Sequence, residues 1–316
     1  MSGGGAAQGG RGAADVMEAV ERIRLDREHG ASALAREAAQ AMADVASQAG
    51  SSSDVLARAQ VLGRALALAR PSMAAIANTV THLWGVASSG EGDAEAQLKA
   101  LRAEALALEA HWGAAIDGMV HWARAEVTGV VYTLSRSGTV EQTLTRLAHE
   151  RSVEDPLRVI VSESRPGGEG VALARALAAA GARVTLAADS ACATFMGEAA
   201  LVIVGADSVR GDGSVVNKVG THALALVAHA FGTPVYALAE RLKITPDSYP
   251  LVIEEMPPDE LLPEMVEGVT ARNIYFDVTP SALITGVILE TGAVGAGTIA
   301  RLAQEAERDY ESLMHP

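Results

Sequence analysis

The stretch AALVIVGADSVRGDGSVVNKVGT, residues 199–221, runs from an apolar segment straight into a polar one. Ala199–Val204 is short, continuous and rich in β-branched residues, the pattern of a strand buried on both faces of a parallel sheet. The segment after it holds Asp207 and Asp212, the turn glycines Gly211 and Gly213, and the pair Asn217-Lys218. Such a segment is either an ordinary polar connection or a ligand site, since open parallel sheets bind small molecules beyond the carboxyl ends of their strands.

Outward from this stretch the same texture repeats. Val127–Thr133, Leu157–Val161, Arg183–Leu186, Pro234–Ala237 and Ile274–Phe276 read as further strands, beside Leu201–Val204. Thr139–Glu150, Glu169–Ala180, Ala191–Glu198 and Lys218–Ala230 read as the helices between them. Short apolar strands alternating with helices predict an α/β fold with a Rossmann-like, doubly wound parallel sheet. The strand-end loops then begin at Leu134, Ser162, Ala188, Gly205 and Asp277, and they bring Arg165, Asp189, Asp207 and Asp277 to one edge. Taken singly, each has a plain reading as a helix cap, a surface ion pair or a solvated side chain. Four polar clusters at successive strand ends instead predict a small-molecule pocket.

The first half differs. Between about 12 and 125 the chain is rich in Ala, Leu, Glu and Arg, with apolar residues at helical spacing, for example Leu98, Leu101, Ala105 and Leu108. Gly30, the Gly50–Ser53 run, Pro71 and Ser88–Gly92 are breaks, with Asp54 and Ser72 as helix starts. The expected organisation is a flexible start over 1–14, a bundle of roughly five helices over 15–125 and the Rossmann-like domain over 126–316.

Composition narrows the function. The 316 residues include 39 acidic and 25 basic ones, a net charge of −14, and no basic stripe stands out. Direct nucleic-acid or anionic-membrane binding is not expected from such a chain. Cys192 is the single cysteine, which excludes an internal disulfide and a multi-cysteine zinc site. No apolar run has the length of a membrane span, and MSGGGAAQGGR lacks the apolar core of a signal peptide, so a cytoplasmic location is expected. Gly295–Ala300 matches a dinucleotide G-x-G-x-x-A, but it follows the last expected strand and reads as a turn into a helix. The Asp207–Lys218 loop lacks the final Glu of a calcium-binding EF-hand loop, and no phosphate-loop motif occurs. No cofactor and no metal are expected.

Taken together, VSESRPGGEG, ADSACATFM, LVIVGADSVRGDGSVVNKVGT and YFDVTPSALITGVILETG, in this order, resemble the superfamily of initiation factor 2B α, β and δ subunits, ribose-1,5-bisphosphate isomerase and methylthioribose-1-phosphate isomerase. The likeness runs through about 126–316, and more loosely through His29-Gly30-Ala31 and Ala69-Arg70-Pro71-Ser72. It implies a sugar-phosphate pocket between a helical and a Rossmann-like domain, and a homodimer formed through the latter. It also implies aldose–ketose isomerisation by an aspartate and a cysteine. Residue by residue, Asp207 matches the catalytic aspartate, Asn217 and Lys218 the substrate-holding pair, and Arg70 the arginine of an Arg-Pro motif. Arg165 is the remaining candidate for holding an anion. The cysteine position is Ser135, and His29 stands where the isomerases place a phosphate-binding arginine.

A serine hydroxyl is a far weaker acid than a thiol, so this substitution bears directly on proton transfer. Two readings follow. One is an active isomerase built on Asp207. The other is a non-catalytic regulatory subunit that binds a sugar phosphate or nucleotide and acts through protein contacts. Cys192, just past the third strand, is the one thiol that could stand in, although a free cysteine is ordinarily a small buried hydrophobe.

Overall fold

The structure is a computed structural model that describes residues 17–26, 29–89 and 92–315. The expected flexible start, 1–14, lies outside the described residues. The chain is helical over 17–25 (α1), then α2 (Ala31–Ala46), α3 (Ser52–Ala67), α4 (Ala74–Ser89) and the long α5 (Ala94–Glu126). The breaks fall where small polar residues cap. Ser51 Oγ accepts the Asp54 N–H at 3.3 Å, and an Asp93 carboxylate oxygen accepts that of Ala96 at 3.1 Å. Asp54 thus lies in the first turn of α3 and Ser51 is its cap.

A seven-stranded sheet follows. Its strands are β1 (Val130–Leu134), β2 (Arg158–Ser162), β3 (Arg183–Ala187), β4 (Ala199–Gly205), β7 (Val235–Leu238), β11 (Gly286–Leu289) and β12 (Gly292–Val294), in the order β12-β11-β7-β4-β1-β2-β3. All neighbours are parallel except β12, an antiparallel edge hairpin partner of β11. The order runs outward in both directions from the adjacent pair β1 and β4, the switch point where doubly wound sheets bind ligands. Strand alternation splits β4 between two cores. Leu201 and Ile203 pack with α5, α6 (Gly138–Glu150) and α7 (Glu169–Ala179), while Val202 and Val204 pack with α9 (Thr221–Phe231) and α10 (Ala296–Met314). The last helix serves two cores. Ile299, Leu302 and Ala303 cover the sheet, and Tyr310 and Leu313 join the core of α2–α4.

Three expectations change. Asn217-Lys218 does not open a helix; it ends strand β6 (Val215–Lys218), and α9 begins after Gly220, whose φ is +101°. Ile274–Phe276 is not the last strand of the main sheet. Residues Phe276–Thr279 form β10, which pairs antiparallel with β6 and, through it, β5 (Ser208–Val209), in a separate three-stranded sheet. The last parallel strand is instead β11. Ala191–Glu198 is not one helix but a single turn, α8 (Cys192–Phe195), between two 3-10 turns. Two two-residue strands, β8 (Glu255–Met256) and β9 (Asn273–Ile274), complete the fold. As expected, Gly295 is the turn into α10.

One contact sets the seat of α7. A Cβ added at Gly170 would lie 1.8 Å from the Ser162 carbonyl oxygen at the end of β2. Gly170→Ala is expected to destabilise the protein by about 3 kcal/mol, read as a lower urea midpoint, because α7 must lift off the sheet.

Candidate functional site

A pocket of ≈ 160 Å³ opens where β1 and β4 end, under the N-terminal helices. Ser135, from the loop after β1, and Asp207, from the loop after β4, both line it. Arg70, Asn217, Lys218, Lys243, Glu169, Tyr275 and the segments Gly30–Ala33 and Ser137–Gly138 complete most of its wall. The topology explains the meeting: the loops after the two switch-point strands are neighbours in space although 72 positions separate Ser135 from Asp207.

Asp207 is held from both sides along the chain. Its N–H donates to Val216 O at 2.8 Å, and Ser208 Oγ donates to Ser72 O and accepts the Ala74 N–H, each at 3.0 Å. The carboxylate lies deep in the protein with an edge open to the pocket, and it makes no hydrogen bond among the described residues. Burial raises its pKa to about 6; Lys243, Lys218 and Arg70 pull the other way without cancelling it.

Lys218, Lys243 and Arg70 are each paired with an acid, distant in the chain for Lys218 and Arg70 and three residues back for Lys243. Lys218 Nζ lies 2.7 Å from Glu169 Oε1 and 3.7 Å from the centre of the Tyr275 ring. Lys243 Nζ lies 2.9 Å from Glu240 Oε2, and Glu240 Oε1 also accepts Ser32 Oγ at 3.0 Å and Thr139 Oγ1 at 2.8 Å. Burial works against the Glu240 carboxylate, but Lys243 and the Thr139 hydroxyl outweigh it and hold its pKa below the usual range. Arg70 contacts Glu254 through Nε and Nη2 at 3.0 Å, and its Nη1 donates to Asp26 O at 2.8 Å. His29 Nδ1 lies 2.8 Å from Asp26 Oδ2. These pairs set positions and leave the pocket without a large excess of positive charge. Its remaining anion-binding capacity comes from the first turns of α2 and α6, which open on it with no side-chain cap.

Ser135 adopts φ +59° and its N–H donates to Ser164 Oγ at 2.5 Å. The Asp189 carboxylate accepts the N–H groups of Ser164 at 2.8 Å and Arg165 at 2.7 Å. Asp189 thus shapes the loops that present Ser135. Asn217 is buried, with Nδ2 donating to Thr221 Oγ1 at 2.9 Å.

Several expected residues stand elsewhere. The Arg165 side chain is exposed and does not line the pocket. Cys192 packs at the edge of the sheet core, away from the pocket wall. Asp277 lies within β10, where its carboxylate accepts the N–H groups of Gly220 at 2.8 Å and His222 at 3.2 Å. The first amides of α9 are therefore occupied from inside the protein. Burial raises the Asp277 pKa, against those two N–H groups. Lys243, Glu240 and Glu169 were not among the residues expected at the site. Glu240 and Lys243 lie just past β7, so the strand-end rule applied to that loop would have found them.

Residues 27–296 match the profile of the Initiation factor 2 subunit family. The chain is 31% identical to a ribose 1,5-bisphosphate isomerase of Archaeoglobus fulgidus over 288 residues, which cover 89% of this chain and 90% of that protein. A methylthioribose-1-phosphate isomerase of a Synechococcus species is 42% identical over 145 residues, covering 42% of this chain and 43% of that one. Among solved structures, translation initiation factor eIF-2B of Pyrococcus horikoshii superposes with a TM-score of 0.74 at 29% identity, covering 88% of this chain and 96% of that one. The 5-methylthioribose 1-phosphate isomerase of the same organism gives 0.69 at 26% identity, over 93% and 87%. No helix among the described residues is long and apolar enough to cross a membrane. A mostly parallel sheet with its switch point under a helical layer, and a profile match over most of the length, place the chain in the initiation factor 2 subunit family.

Proposed function

We propose that this protein isomerises a phosphorylated aldose to its ketose, as its relatives named for ribose 1,5-bisphosphate and methylthioribose 1-phosphate do. One observation carries the reading: a carboxyl at the switch point, deep but open to a pocket, with its pKa raised to about 6. Isomerisation of an aldose 1-phosphate opens the ring, moves hydrogen from C2 to C1, removes the C2 hydroxyl proton and gives a proton to the ring oxygen. A group that titrates near 6 exchanges a proton readily at neutral pH. In this reading Asp207 takes the C2 hydroxyl proton. Ser135 relays a solvent proton to the ring oxygen and Asp207 returns the proton that it takes to solvent; Asn217 and Lys218 hold hydroxyls, and the phosphate lies over the first turns of α2 and α6. Arg70, braced by Glu254, closes one side. No step calls for a cofactor or a metal. The protein acts in the cytoplasm as a homodimer joined through its C-terminal half, where Leu226 and Phe231 of α9 stand exposed.

Titration calorimetry tests the binding half. Ribose 1,5-bisphosphate is expected to bind while ribose does not, and Lys218→Met is expected to weaken binding by about 10- to 100-fold, the worth of one charge-assisted hydrogen bond. Equal affinity for both sugars would refute the reading. Ser135 favours a second reading, in which the same pocket binds a sugar phosphate or nucleotide without turnover and the protein acts through contacts with other chains.

A further inference from the structure

Glu240 joins three parts of the pocket that lie far apart along the chain or in different layers. It stands two residues past β7 and is buried. Its Oε1 accepts Ser32 Oγ at 3.0 Å and Thr139 Oγ1 at 2.8 Å, across 208 and 101 positions, and its Oε2 lies 2.9 Å from Lys243 Nζ. Ser32 belongs to the first turn of α2, in the helical layer, and Thr139 to the first turn of α6, beside the sheet. One carboxylate oxygen therefore ties together two helix starts from different layers. Lys243 is held twice, since its backbone N–H also donates to Glu240 O at 2.9 Å. It is 3% exposed and lines the pocket.

A hydroxyl has one proton, and Ser32 and Thr139 both direct theirs to Glu240. What these two residues still offer a ligand is backbone N–H. Among the described residues the N–H groups of Ala31, Ser32, Gly138 and Thr139 have no acceptor, as expected at helix starts without side-chain caps. Ser32 and Gly138 line the pocket. Such donors serve one anion together only if both starts lie within hydrogen-bond reach of it, about 2.7–3.2 Å. The separation of α2 from α6 therefore decides how well a phosphate is held, and the Glu240 carboxylate is what spans it. We propose that Glu240 is the positioning residue of the phosphate seat: it fixes the start of α2 against the start of α6, so that amides of both reach one phosphate, and it fixes Lys243 in the same pocket wall. This rests on the reading above, in which the ligand carries its phosphate over those two turns. Glu240 itself touches no reacting atom.

The test is calorimetric titration of the full chain with inorganic phosphate and with ribose 1,5-bisphosphate. The wild type is expected to bind both. Ser32→Ala removes the tie to α2 and should weaken both by about 3- to 10-fold, the worth of one hydrogen bond, and Thr139→Val should do as much through α6. Ser32→Thr returns a hydroxyl and should restore the wild-type affinity. Glu240→Met with Lys243→Met removes both charges of the pair, so that no buried charge is left alone. In that background Ser32→Ala should have no further effect, because the partner of the hydroxyl is gone. Ribose 1,5-bisphosphate bound equally well by wild type, Ser32→Ala and Thr139→Val would overturn the proposal and leave the isomerase reading in place. A Ser32→Ala loss that persists in full without Glu240 would overturn it too. Inorganic phosphate bound with the expected pattern of losses, but no binding of the bisphosphate, would uphold the role of Glu240 and remove the isomerase reading. Absence of binding of either ligand to the wild type would overturn both.

Discussion

Asp207→Asn is expected to lower kcat by about 10³-fold or more, within the range set by removing a general acid or base. The same substitution is expected to make the protein more stable at pH 7.5. The carboxyl's pKa is raised from 3.8 in the unfolded reference to about 6 in the fold. Between these values the native state holds the proton more tightly than the unfolded chain, so stability falls as pH rises from about 4 to about 6 and then levels off. A shift of this size corresponds to about 2–3 kcal/mol. Asn removes the ionisation and with it the penalty. The variant should gain about 1–3 kcal/mol in urea titrations at pH 7.5 and nothing at pH 3.5. An unmatched loss of stability at pH 7.5 would mean that Asp207 anchors Lys218 and Lys243 rather than serving the reaction. The wild-type rate should rise through a limb near pH 6, since the base must be ionised.

Ser135→Cys is expected to raise kcat by about 10- to 100-fold, because a thiol can give up and regain a proton near neutral pH and a lone serine hydroxyl cannot. The backbone accepts the change: φ is +59° with either side chain, and the N–H bond to Ser164 is unaffected. A second limb should appear, the rate falling above about pH 8.5 as the thiol loses its proton. Unchanged slow turnover in the variant would remove Ser135 from the proton path. The wild-type protein is expected to be a slow isomerase.

Much of this site could be read from residues alone. The apolar run before Gly205 and the polar loops after the strands point to a ligand site beyond the strand ends, because strand burial and strand–helix alternation are local properties; that β1 and β4 form the switch point follows only from the strand order. Strand β6 was not legible. Val215–Lys218 runs into the helical spacing of Thr221–Phe231, and pairing with β5 on one side and with β10, about sixty residues away, on the other makes it extended. That Arg165 and Asp277 stand outside the pocket wall is equally non-local: one side chain is exposed, and the other fills the start of α9. The pairs Arg70–Glu254 and Lys218–Glu169 span 184 and 49 positions, and no periodicity in the chain announces them. The orientation of α2, which turns its uncapped first turn toward the pocket, belongs to tertiary packing as well.

The central claim is that the pocket at the β1–β4 switch point turns over a phosphorylated aldose with Asp207 as its proton carrier. Phosphorus and carbon NMR of ribose 1,5-bisphosphate and methylthioribose 1-phosphate, each incubated with concentrated wild-type, Ser135→Cys and Asp207→Asn protein, tests it most directly. The expected result is slow formation of the ketose phosphate from one of the two by the wild type, faster formation by Ser135→Cys, and none by Asp207→Asn. Both substrates unchanged in wild type and Ser135→Cys alike, or equal turnover with Asn at 207, would contradict it.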